Sequence, residues 1–117
     1  MALELEEIMQ KSIELGKSIA LSTVFKEFKQ AENDLLHNSE ACKLVENLQK
    51  LKSEHHGKKM AGIEISQAEQ DSMKELEQTC LRDRQVLISN EANTKFQELM
   101  AKMTENIKAG IKSVDQG

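Results

Sequence analysis

The sequence predicts an all-α protein, an antiparallel helical bundle of about five helices with a long central hairpin. Three observations carry this. The 117 residues include no proline and only 5 glycines, while Glu, Lys, Leu, Gln, Ala and Met, the residues that lose least on entering a helix, are abundant. Apolar residues recur at steps of three and four along most of the chain, which places them on one side of a 3.6-residue helix. Capping residues interrupt that rhythm at a few points, and those points mark where one helix gives way to the next.

The first helix is read from Leu5, Ile8, Ser12, Leu15 and Ile19, one continuous stripe. Ser22 is a candidate N-cap, after which the stripe resumes at Val24, Phe28, Ala31 and Leu35 with Phe25 beside it. This second helix continues the first through a bend. In "HNSEA", Asn38 offers a stop and Ser39 a fresh cap, and a third stripe runs through Ala41, Leu44, Leu48, Leu51 and His55. Gly57 and Gly62 are read as ending that helix, and "SQAE" (Ser66 to Glu69) is a capping box that opens the fourth. So short a connection makes helices three and four an antiparallel hairpin. The fourth stripe (Met73, Leu76, Cys80) is broken by the charges of "LRDRQ", with the boundary either at Asp83 or later at Ser89 and Asn90. The last helix carries Ala92, Phe96, Leu99, Met103, Ile107, Ile111 and Val114. The length suits one domain, residues 1–117, with a small core.

Composition narrows the function. Aromatic residues are 3% of the chain, with no tryptophan or tyrosine, so the stacking platforms of single-strand binders and the usual anchors of ligand pockets are scarce. A formal net charge of -4 gives no general attraction to nucleic acid or anionic lipid, so direct DNA binding is not expected. No apolar run approaches the length of a membrane span, and "MALELEEIMQKS" is acidic where a secretory signal is basic. A cytoplasmic protein without membrane insertion is the expectation.

"SEHHGKKMAG" (residues 53–62) is the stretch that most invites chemistry. His55 and His56 are sequence neighbours and diverge by about 100° on a helix, so they cannot chelate one ion together. His37 and Cys42 lie across a predicted helix break, and Cys80 is remote in sequence. No metal ligand set is expected. The glycines are spaced wrongly for a P-loop, with no strand before them and no Lys-Ser after. Lys50, Lys52, Lys58 and Lys59 form a local basic cluster, a possible contact patch for RNA or an acidic partner; cations in a last helical turn also suit the helix dipole. No serine sits in a nucleophile elbow, and Cys42 and Cys80 are read as small buried hydrophobes. Catalytic residues and cofactors are therefore not expected. Association is the function left, and Phe25, Phe28, Leu48, Phe96 and Met103 are the candidate assembly or partner face. Stripes this regular on a short chain predict a homodimer.

Three segments carry a family resemblance over about Ile13 to Ile111. They are "LGKSIALSTVFKEFKQAENDLLHNSEACKLVENLQ", "MAG" (Met60 to Gly62) and "VLISNEANTKFQELMAKMTENI". In this order the pattern resembles the YlbF/YmcA family of small helical regulators in Gram-positive bacteria. Ser89 stands where many members have an aromatic residue, and "LRDRQ" lacks the common Asn-Pro or Asn-Asp. The resemblance implies a non-enzymatic regulator linked to competence, sporulation and biofilm formation. It also implies protein partners: a sister YlbF-like protein, a PSP1-domain protein and RNase Y, with an influence on mRNA processing. Some members carry a cysteine-rich tail associated with iron-sulfur clusters; the "IKSVDQG" end does not match it, so that property is not expected. The alternatives are an RNA-contacting factor using Lys50 to Lys59, or a structural helical adaptor without that pathway role.

Overall fold

The computed structural model describes residues 2–116. They form five helices, α1 (Ala2–Leu21), α2 (Thr23–Leu36), α3 (Ser39–Met60), α4 (Gln67–Arg82) and α5 (Arg84–Asp115), with no strand among the described residues. The all-α reading and the count of five hold.

Each junction has a local cause. Between α1 and α2 the Phe25 N–H donates to Ser22 Oγ (3.2 Å), so Ser22 caps α2 while the backbone only bends. At the next junction Asn38, rather than Ser39, is the cap: its extended backbone lets Oδ1 accept from the Ala41 N–H at 3.1 Å. Asn38 thus closes one helix and opens the other.

The end of α3 lies later than the glycine pattern suggested. Gly57 is inside the helix, and only Gly62 terminates it, with φ of 73°. The Ile63 N–H donates to the Lys58 carbonyl (2.8 Å) and the Gly62 N–H to that of Lys59 (3.2 Å), the paired bonds that satisfy a helix's last carbonyls when a left-handed residue follows. Glycine is needed at 62 because a Cβ is strained there.

Ser66 then caps α4, accepting from the Glu69 N–H at 3.2 Å, as the capping box requires. The α4–α5 break falls at Asp83 and not at Ser89 or Asn90. Asp83 Oδ1 accepts from the Val86 N–H at 3.0 Å, and the polar residues at 89 and 90 lie inside α5.

The helices gather into two units. One comprises residues 31–91. In it α3 and α4 run antiparallel, since Cys80 Sγ lies 3.7 Å from the Leu44 carbonyl at one end and Lys58 pairs with Glu69 at the other. Ala41, Cys80 and Val86 are buried, ringed by Leu35, Leu44, Val45, Leu48 and Leu76. The buried residues are small, which lets helices approach closely but seals little apolar volume. Ala31 is also buried, and its carbonyl accepts from Ser89 Oγ at 3.3 Å and Gln85 Nε2 at 3.5 Å. That is the use to which the α5 residue Ser89 is put here.

The other unit holds the chain up to Gln30 and from Ala92 onward. Its contacts fix α1 antiparallel to α5. Phe25 meets Phe96, while Leu15, Ser18, Ile19 and Ser22 line one groove with Leu99, Lys102, Met103 and Asn106. None of its described residues is buried.

Candidate interaction surfaces

Phe25, Phe28 and Phe96 form one aromatic cluster. Phe28 stacks on Phe96, with centroids 4.7 Å apart and planes 19° off parallel. Phe25 meets Phe96 edge-on at 5.7 Å and Phe28 at 6.4 Å. Phe25 and Phe28 share a face because they are three residues apart on α2. All three rings remain half-buried. Met103, two turns beyond Phe96, lies in the groove with Leu15, Ile19 and Leu99.

Leu48 belongs to the other unit. It packs against the Ala41, Cys80 and Val86 core and lines a second groove with Val45, Lys52, Glu77 and Asn90. The five candidate assembly residues therefore divide: Phe25, Phe28, Phe96 and Met103 lie in one unit and Leu48 in the other. Periodicity could not separate them, because it tells which residues share a helix face and not which face meets which.

The basic cluster is weakened by its own neighbourhood. Lys50, Lys52 and Lys59 are exposed, but Lys58 turns to α4 and pairs with the Glu69 carboxylate. Glu69 also accepts from the hydroxyl of Ser66 at 3.0 Å. Lys58 and then Ser66 hold the Glu69 carboxyl below the usual glutamate range. One capping-box residue thus fastens the two arms of the hairpin. Sequence gave a signal for this contact, a cation at the end of α3 and an acid at the start of α4 across a short turn.

The thiols differ from each other. Cys80 is buried, as expected; burial pushes its pKa up, the Asp83 carboxylate adds to the effect and Lys52 opposes it. Cys42 is only half-buried, because α3 turns its side chain toward Glu46, whose carboxylate accepts a bond at 3.5 Å and raises the thiol pKa. Both shifts disfavour the thiolate, the nucleophilic and ligating form. His55 continues the inner stripe and its Nε2 is buried without a hydrogen-bond partner, whereas His56 is exposed. Among the described residues no three His, Cys, Asp or Glu side chains converge to hold a metal ion. No described helix is long and apolar enough to cross a membrane.

A family model described as control of competence regulator ComK, YlbF/YmcA, matches residues 8–112 of the 117. The chain belongs to the YlbF/YmcA family. Its place in a family named for regulation follows, and the match covers α2, α3 and α4 whole and most of α1 and α5. The "MAG" that marked the YlbF/YmcA resemblance is the helix stop built around Gly62, and the family match runs through the aromatic cluster and both grooves. No curated protein and no solved structure matches the chain.

Proposed function

We propose that this chain is a non-enzymatic, cytoplasmic regulator that works by protein–protein association in the control of competence, and of the sporulation and biofilm programmes linked to it. The observation that carries the reading is the YlbF/YmcA family match over residues 8–112. Its partners are a sister YlbF-like protein, a PSP1-domain protein and RNase Y, and its output is RNase Y-dependent mRNA processing. Partly exposed apolar side chains support association. Half-buried Phe25, Phe28, Phe96 and Met103, with 16 large hydrophobic residues more exposed still among the described residues, are available to partners. Cys42 and Cys80, both shifted away from the thiolate, support the non-enzymatic reading. RNA contact through the basic cluster is the weaker reading, because Lys58 is already engaged by Glu69.

Mapping transcript 5′ ends in the host with and without the gene tests this. Loss of the gene is expected to reduce RNase Y-dependent ends, with restoration by the full chain. Unchanged ends, together with unchanged competence, sporulation and biofilm formation, would overturn the proposal.

A further inference from the structure

Helix α1 has too much apolar surface for its one neighbour. The side chains that meet α5 are Leu15, Ser18, Ile19 and Ser22. At 100° per residue, Leu5, Met9, Ser12, Ile13, Gly16 and Ala20 form a second stripe, turned about 120° from the first. All six are exposed, Leu5 at 61%, Met9 at 55% and Ile13 at 54%. On α5 the same construction sets Met100, Ile107 and Ile111 about 110° from the residues that face α1. Because both helices are right-handed and run antiparallel, these two turns bring both stripes to the same side of the pair. The result is one apolar face with Glu4, Glu7, Lys11 and Glu14 pointing elsewhere.

We infer that this face is covered by the same face of a second copy of the chain, with the two α1 helices antiparallel. The pattern on α1 fits itself. Its large side chains, Leu5 and Met9, fall in the first half and its smallest positions, Gly16 and Ala20, in the second. Reversal about a point between Ser12 and Ile13 sets Leu5 over the partner's Ala20, Met9 over the partner's Gly16 and Ile13 over the partner's Ser12. Each bulge thus meets a gap. Gly16 has nothing within 4 Å of where a Cβ would be, so nothing inside the chain explains a glycine in mid-helix, where it costs about 0.5–1 kcal/mol relative to alanine. The Ser12 hydroxyl is spent on the Ile8 carbonyl at 2.9 Å and presents little unmet polarity.

Charge agrees with the same reversal. The outer edge of the face carries Glu6 near one end and Lys17 near the other, so two antiparallel copies bring opposite charges together twice along that edge. Area agrees as well. At roughly 60–120 Å² for each buried aliphatic side chain, the six large residues and the small ones between them supply several hundred Å² per copy, the scale of the roughly 800 Å² per partner in a stable interface. The inference rests on reading the chain as an association module and assigns the surface that associates.

Sedimentation equilibrium of the full chain at micromolar concentration tests it, with circular dichroism to confirm helicity. Wild type is expected at twice 13.2 kDa. Gly16→Gln, which favours the helix and meets no obstacle within the chain, and Met9→Glu are each expected to raise the dimer dissociation constant at least tenfold. Leu3→Glu, on the opposite side of α1, is expected to leave it unchanged. A monomeric wild type would overturn the inference, as would a dimer indifferent to both face variants. A dimer that runs through this face, in cells whose transcript ends do not depend on the chain, would keep the assembly and remove the regulatory reading alone.

Discussion

Phe28 and Glu69 show what single side chains do in this protein. Phe28 stacks on Phe96 at 4.7 Å but keeps part of its ring in water, so Phe28→Ala is expected to cost about 2 kcal/mol in urea unfolding, below the roughly 3–5 of a sealed phenylalanine. Glu69 has its pKa depressed by Lys58 and Ser66. A carboxyl whose folded pKa lies below its unfolded one stabilises the fold above the unfolded value, about 4.3, and that contribution fades as pH falls through the folded value. Glu69→Gln should therefore lower the urea midpoint at neutral pH, with the gap to wild type closing below about pH 4 and narrowing in high salt. A gap independent of pH would refute the charge-based account of this contact.

At the scale of helices, the stops and starts decide the architecture, and they respond to substitution in opposite directions. Gly57 lies within α3 with open space where a Cβ would go, so Gly57→Ala is expected to stabilise by about 0.5–1 kcal/mol. Gly62 holds φ of 73°, and Gly62→Ala is expected to destabilise by about 1–2 kcal/mol. Asp83→Ala removes the Val86 bond and is expected to cost about 1 kcal/mol. Thermal melts of the three variants check all of these. The same residues show how far the sequence is legible. Ser22, Ser66 and Asp83 could be read as caps because the hydrogen bond each makes is local and spans three residues. Gly57 could not be distinguished from Gly62, because a glycine permits a left-handed turn without requiring one. Asn38 and Ser39 are both good caps, and the choice rests on a single backbone angle. Long-range pairings were less legible: nothing local says that Leu48 meets Cys80 rather than Phe96, or that Ser89 bonds the Ala31 carbonyl. Met9, Ile13 and Gly16 lie outside the stripe of Leu5, Ile8, Ser12, Leu15 and Ile19, because the apolar arc of the first helix is wider than the roughly 100° that one neighbour requires.

For the molecule as a whole, small buried residues in one unit and no buried residue among those described in the other support the proposal that the chain completes its apolar contacts through association. Membership in the YlbF/YmcA family gives that association a regulatory setting. The most direct measurement is purification of the tagged full chain from its native host under reducing conditions, with the mass of the intact complex and its components determined. The account predicts a complex that contains the chain together with a sister YlbF-like protein, a PSP1-domain protein or RNase Y. Recovery of the chain without any of the three would contradict it.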